Sequence, residues 1–566
     1  MEAQKTSLVT TPPFTTAERA LILGLFLVTF SLTLLTANDY GPTYDEPHYA
    51  SAGVRYADWW ARVFRGDLRA LSASEIETTW RLNHEHPPLQ KVASGFAQRW
   101  FGGALPGLMA MRLPSALWFA IAVCAIYLFC RGVWGRRGAL FGALAFATMP
   151  RVIADAHFDA LDMPIACWFF VTAAIVAWAM RRSSWPLAVL AGVAFGLALL
   201  AKLNAFFLPI VLIVWTAIFH RKQWPKLIPM VALGPLVFWI GWPWMWFDVV
   251  DHVGSYLAFH SGHAAYNVWY LGRLWQYAPW HYPFVMTAVT TPALLLLLAL
   301  VGIGRLVGRA CLRPPAAEAG LLLLGLIVTL VPNALPSSPK YNGVRLFLPA
   351  LPFLAALAGG GFAWVQGVAT SLASRLGRHL TPLPPSPSPS TALGVNLERG
   401  RRLSSLIAAA LGALLLYPGA NAAIRIHPYQ LAYYNALVGG TAGATRRGFE
   451  TIYWGQVFEE APLFLNRLEF SRPRLLVIPK GVIYLLDFQR QTGYLRPDVE
   501  FTGDDREAGR VDYVMFQAMQ SDYTDLCWAL VKEEEPAWSV RSEDGTPLLL
   551  IYDRAAIHRA LAAPPQ

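Results

Sequence analysis

Charge is scarce in this chain. Acidic and basic residues fill 14% of its 566 positions, against roughly 25% in ordinary soluble domains. That shortage excludes a soluble enzyme, a disordered chain and a coiled coil. Cysteine is sparse as well. Cys124, Cys130, Cys167, Cys311 and Cys527 show no metal-ligand spacing and mostly sit in apolar runs, so neither a disulfide framework nor a cysteine metal site is expected. The polar first twenty residues lack a signal-peptide cleavage site, so the first apolar run is expected to remain as a membrane helix. No repeat of solenoid period is present.

What fills the chain instead is apolar: 55% hydrophobic residues, with 22 Trp, 31 Phe and 21 Tyr. This is the composition of a polytopic membrane protein. A spanning helix needs about 20 mostly apolar residues. Eleven runs qualify as candidates: Leu21–Ala37, Leu113–Cys130, Ala139–Pro150, Met163–Met180, Trp185–Ala201, Leu203–Phe219, Leu227–Trp242, Phe284–Val307, Ala319–Leu335, Leu346–Val365 and Leu403–Pro418. Lys202 alone parts the fifth from the sixth.

The net charge is +10, but the basic residues lie in small groups between apolar runs, which sets orientation in a bilayer rather than nucleic-acid binding. Arg136-Arg137, Arg181-Arg182, Arg221-Lys222 with Lys226, Arg305 to Arg313, and Arg399 with Arg401-Arg402 all fall on one side if Lys202 separates two spans. About eleven transmembrane helices are therefore expected, with residues 1–20 cytoplasmic and the C-terminus outside. Residues 21–420 form the transmembrane part, including a long outer loop, 38–112, with amphipathic stretches such as Ala57–Phe64. A second outer loop, Asp248 to Pro283, is rich in aromatics and His. Residues 421–566 are expected to form a small extracytoplasmic α/β or mixed domain, with strands near Leu475–Pro479, Val511–Phe516 and Leu548–Tyr552 and a turn at Glu543-Asp544-Gly545. The Pro/Ser run from Pro382 to Ser390 reads as an inner linker.

Polar residues at the membrane rim carry the functional signal, because each is costly without a partner or a role. Asp45-Glu46 follows the first helix and could act as a general base with a supporting acid, contribute to a cation site, or cap an interfacial helix. His84-Glu85-His86-Pro87-Pro88 could bind a metal or a phosphate, or form a solvated turn fixed by its prolines. Arg151, Asp155, His157, Asp159 and Asp162 lie between the third and fourth runs, where Asp162 could cap the next helix. Lys202 needs a lipid phosphate, a carboxylate or the interface. Lys340 and Arg345 suit a phosphate headgroup or anionic lipid. In the expected topology all of these face outward.

Asp45-Glu46-Pro47-His48-Tyr49, one helix in and outside, resembles the signature of the GT-C superfamily. The closer similarity is to the dolichyl-phosphate-mannose protein mannosyltransferases and their bacterial relatives, including the lipid A aminoarabinose transferases. Glu85-His86-Pro87-Pro88-Leu89 is similar to the family's acidic-basic-Pro-Pro-Leu turn, with His where Lys is common. Leu161-Asp162-Met163-Pro164, Lys202 and Val344-Arg345-Leu346 match further motifs in order. The similarity spans residues 20–360.

The resemblance implies a GT-C-like fold and an inverting glycosyltransferase in a bacterial inner membrane. It would move a hexosyl or pentosyl unit from a polyprenyl-phosphate donor to a hydroxyl of a protein, glycolipid or polysaccharide. Asp45 would be the base, with Glu46 beside it. Lys202, Arg345, Arg151, His86 and more weakly Lys340 would face the donor phosphate, with Glu85 and Asp162 orienting cations or sugar hydroxyls. No cofactor is required by this reading, though His84, Glu85 and His86 leave a divalent metal open. A lipid-linked sugar flippase or a non-catalytic envelope scaffold is the alternative; a transporter would show inverted repeats and mid-helix polar residues, and neither is evident.

Overall fold

The computed structural model describes residues 13–262, 266–308, 316–336, 338–380 and 389–562. Cys311, the linker run as far as Ser388 and the first twelve residues lie outside the described residues.

All eleven apolar runs carry helix, the form that satisfies backbone groups within a bilayer. About eleven spans are expected, and length and composition of single described helices pick out fewer. Among the described residues seven helices are long and apolar enough to cross, or eight when a bent pair counts as one span. The difference comes from breaks in the helices. The second and third runs share one helix, Met109–Ala147, kinked at Gly135. At Lys202 the backbone becomes extended, which leaves Trp185–Ala201 and Leu203–Phe219 as two shorter apolar helices. The helices Tyr282–Thr290 and Ala293–Leu306 meet at 120°, because Pro292 offers no N–H to continue the ladder.

The bundle core joins the helices Met109–Ala147, Asp162–Arg182, Ala293–Gly308 and Ala350–Leu380. Two of these pack backbone against backbone. A Cβ on Gly361 would lie 1.9 Å from the Leu298 carbonyl, and one on Gly302 2.2 Å from that of Leu357. Small residues allow such approach where lipid supplies no hydrophobic drive. At the end of the bundle carrying the Arg136, Arg181 and Arg305 clusters, Arg131 and Arg136 both pair with Glu18, and Arg181 meets Glu318 at 3.1 Å.

The second outer loop forms a hairpin, β1 (Val268–Tyr270) with β2 (Arg273–Trp275). The C-terminal region builds a five-stranded sheet from β3 (Arg474–Ile478), β4 (Glu500–Thr502), β5 (Tyr513–Gln517), β6 (Trp538–Arg541) and β7 (Pro547–Asp553), in the order β4-β3-β5-β7-β6. The first three are parallel and β7 runs antiparallel to its neighbours. Alternate residues serve opposite faces. Leu475, Val477, Met515 and Ile551 join a core shared with Tyr40, Phe158 and Trp454. Leu476, Val514, Phe516 and Leu550 pack under the helices Asp525–Glu533 and Arg554–Ala562. The sheet thus rests on the loops of the membrane part that carry Tyr40 and Phe158.

Asn435 ties the two parts at the bent helix pair. Its side-chain amide donates to the carbonyls of Ala288 at 2.7 Å and Thr291 at 2.6 Å, and its backbone N–H to Val289 at 2.8 Å. These are carbonyls that a helix end leaves free. Replacing Asn435 by Ala leaves two of them bare in a buried setting. The expected cost is about 1–3 kcal/mol, to be read as a lowered Tm in detergent.

Candidate active site

The segment after the first helix, residues 37–46, is shaped by one buried ion pair. Arg112, 1% exposed, donates to both carboxylate oxygens of Glu46 at 2.7 Å and to the carbonyls of Ala37, Tyr40 and Gly41 at 2.5, 2.7 and 3.0 Å. Glu46 also accepts the backbone N–H groups of Thr43 and Asp159, each at 2.8 Å. Its acceptor capacity is therefore spent on the scaffold, and residues 37–46 are held in one conformation.

Asp45 precedes the helix Glu46–Phe64 in the capping position, yet its side chain makes no cap bond. It turns away and meets Arg345 and the indole N–H of Trp454, both on Oδ2, the latter at 3.1 Å. Arg345 also donates through Nε to Asp162 at 2.7 Å, and Lys202 pairs with the other oxygen of Asp162. The result is a balanced chain of charges, Asp45–Arg345–Asp162–Lys202. Asp162 is completely buried, whereas the side chains of Lys202 and Asp45 are 15% and 30% exposed. Burial opposes the charge on Arg345, but Asp45 and Asp162 outweigh it and hold its pKa above the usual range.

The remaining candidates stand around this group. Burial, then Lys91, His260, Lys202 and Arg345, push His86 well below the ordinary imidazole range, so at neutral pH it offers a hydrogen bond rather than a charge. Its ring lies 6.0 Å from that of Tyr49, itself buried beside the quartet. Glu85 accepts from Asn83 at 2.8 Å, and His84 hydrogen-bonds the Arg81 carbonyl with its ring 4.6 Å from that of Trp244. Among the described residues no group of three His, Cys, Asp or Glu is arranged to hold a metal. Arg151 is buried behind the quartet, between the rings of Tyr434 and Tyr453 at 4.7 and 5.5 Å. Lys340 lies apart, with its ammonium on the carbonyls of Leu335 and Ser338 at 2.7 and 2.9 Å.

Two contributors, Lys91 and Trp454, were given no role by the sequence reading, and Asp155 was named there without a partner. Lys91 folds the His-Glu-His turn by donating to the Asn83 and His86 carbonyls at 2.6 and 2.7 Å. Asp155, one helical turn from Arg151, is buried with neither carboxylate oxygen bonded among the described residues; burial and Asp162 raise its pKa. Trp454 lies in a tail pattern, Tyr453-Trp454-Gly455, that carries no metal or nucleophile.

Residues 85–247, under a third of the chain, match the family described as dolichyl-phosphate-mannose-protein mannosyltransferase. The matched segment contains Glu85, His86, Arg151, Asp162 and Lys202, and leaves out Asp45, Arg345 and Trp454. The chain has helices fit to span a membrane, and this segment of it resembles that family. ArnT from Cupriavidus metallidurans, crystallised bound to undecaprenyl phosphate, superposes with a TM-score of 0.49 at 18% identity, covering 98% of this chain and 100% of its own. Its apo form gives 0.48 at the same identity, covering 97% and 99%. The Archaeoglobus fulgidus oligosaccharyltransferase, in complex with Zn and sulfate, gives 0.38 at 13%, covering 82% and 64%. No curated protein sequence matches the chain.

Two measurements test the scaffold. Arg112→Met strands the Glu46 carboxylate in a buried site, with an expected loss of about 3–5 kcal/mol in unfolding free energy. The second concerns acid. Burial pulls His157, stacked 4.2 Å from the Tyr40 ring, down to about 3, while an unfolded histidine takes its proton near about pH 6.5. Between those values the unfolded chain holds the extra proton. Stability therefore falls as the pH is lowered through this window, by up to about 1.4 kcal/mol per unit. His157→Gln should flatten that slope in a Tm series.

Proposed function

We propose that the chain transfers a sugar from a polyprenyl-phosphate donor to a hydroxyl acceptor on the outer face of a bacterial inner membrane. The observation that carries this reading is the partly exposed Asp45, held by the Arg345 guanidinium and the Trp454 indole N–H at the rim of an apolar bundle. Its Oδ2 is taken by Arg345 and Trp454, while Oδ1 accepts no hydrogen bond among the described residues. Oδ1 is the atom to receive the acceptor's proton. As it does, the acceptor oxygen bonds to the anomeric carbon, and the bond from that carbon to the phosphate oxygen breaks. The electron pair leaves with the lipid phosphate, and a single in-line displacement inverts the centre. Lys202 and Arg345 meet the developing phosphate charge, with neutral His86 adding a hydrogen bond.

The lipid half of the donor has a matching surface. An apolar groove of about 220 Å³ is lined by Trp60, Phe64, Leu89, Val92, Phe96 and Leu200. It adjoins the site in the chain itself: Leu89 follows His86-Pro87-Pro88, and Leu200 stands two residues before Lys202. An isoprenoid tail laid there keeps its phosphate within reach of the cations. The C-terminal domain, seated over Asp45, is on the acceptor side.

The test is release of polyprenyl phosphate from labelled undecaprenyl-phosphate mannose, glucose and N-acetylglucosamine. Purified protein in lipid is supplied with an extracted envelope fraction, with and without chelator. Wild-type release that falls by at least about a hundredfold in Asp45→Asn, with Tm unchanged, supports the base. Equal release by both proteins removes it, and a collapse on chelation makes a metal necessary.

A further inference from the structure

The segment Phe449–Gln456 joins the C-terminal sheet to the first outer loop. On the sheet side, the backbone N–H groups of Thr451 and Gly455 donate to the side-chain oxygens of Gln520 and Gln517 at 3.0 and 3.2 Å, and that of Ile452 to the Ala518 carbonyl at 3.3 Å. Gln517 ends β5, one of the parallel strands, so the carboxyl edge of the sheet faces the site, the edge at which open α/β sheets place their functional groups. On the loop side, the Tyr44 N–H donates to the Trp454 carbonyl at 3.0 Å, and the Tyr44 hydroxyl meets Gln517.

Trp454 sits at the centre of this joint. It is fully buried, with its indole N–H 3.1 Å from Asp45 Oδ2 and its ring 3.9 Å beneath the Arg345 guanidinium. One side chain therefore grips the carboxylate and supports the cation paired with it. Its backbone is unusual as well: φ is +75°, a region that bulky residues avoid. Gly455 follows at φ +85°, and a Cβ there would lie 2.2 Å from the Tyr44 ring. The loop accepts an unfavourable conformation at the residue that touches the charges, which is where strain collects in functional sites.

We propose that Trp454 is a positioning residue, fixing Asp45 so that Oδ1 faces the acceptor and Arg345 so that it faces the donor phosphate. The C-terminal domain is then a structural part of the active site, since Trp454 is 409 residues from its partner. This rests on Asp45 being the base. Phe at position 454 keeps a ring under Arg345 and removes only the donor to Asp45. Ala removes both. His restores a ring N–H.

Rates of release under the conditions above should show Trp454→Phe lowering kcat by about 10- to 100-fold, the weight of one hydrogen bond to a charged group. KM for the donor should stay within about twofold, because the cations that bind it are untouched. Trp454→His should recover part of kcat, and Trp454→Ala should also weaken binding of undecaprenyl phosphate. Asn435→Ala, which loosens the same domain away from the charges, serves as the structural control and should leave the split unchanged. A second readout needs no substrate: carbodiimide labelling of Asp45, followed by mass spectrometry, should rise severalfold in Trp454→Phe and not in Asn435→Ala. Wild-type kcat or wild-type labelling in Trp454→Phe, while Asp45→Asn is inactive, overturns the clamp. Full activity in Asp45→Asn overturns the base itself, and the labelling result still decides whether Trp454 holds the carboxylate.

Discussion

Asp162 has no exposed side-chain surface and lies at the end of an apolar bundle. A lone carboxylate there would carry a desolvation penalty that the fold could not absorb. Lys202 and Arg345 both reach it, from a helix break and from a short outer turn. Neutralising one buried charge thus requires that the helix stop at Lys202 and that the loop before the helix Ala350–Leu380 fold inward. Arg345 then has donors left over, and they fall on Asp45. The position of the proposed base follows from the needs of a residue that stands apart from the exposed face.

A second buried pair does the same for the loop itself. Arg112 and Glu46 draw residues 37–46 and the Asp159 backbone to one point. Asp45 is adjacent to Glu46 yet has the opposite fate, because neighbouring residues at a helix start project about 100° apart. One carboxylate enters the scaffold and the other faces the open side. The C-terminal domain adds a third constraint from above. It is joined through a core that runs without interruption from β3, β5 and β7 to Tyr40 and Phe158, so the sheet and the membrane part meet through packed side chains.

Much of this was legible in the sequence. The apolar runs follow from hydropathy, the break at Lys202 from the placing of the basic clusters, and three of the five strands of the tail, β3, β5 and β7, from strand pattern, whereas β4 and β6 were not marked. Asp45, Asp162, Lys202 and Arg345 stood out because charge at a membrane rim is expensive, and the structure brings those four together. The same reasoning grouped Lys340 and Arg151 with them. Lys340 instead closes its own turn on carbonyl oxygens, and Arg151 is enclosed by tyrosines from the tail. Nothing local distinguishes a cation that points into a site from one that points into a loop.

The sequence by itself determined the solvent this chain folds in, which stretches become helix, and which rim residues had to find partners. Those are properties of short windows, set by transfer free energies and backbone geometry. The tertiary structure alone decided which partner each charge took, and that Trp454 should meet Asp45. Contacts between residues hundreds of positions apart depend on how whole elements pack, and burial then converts a shared location into a shared function.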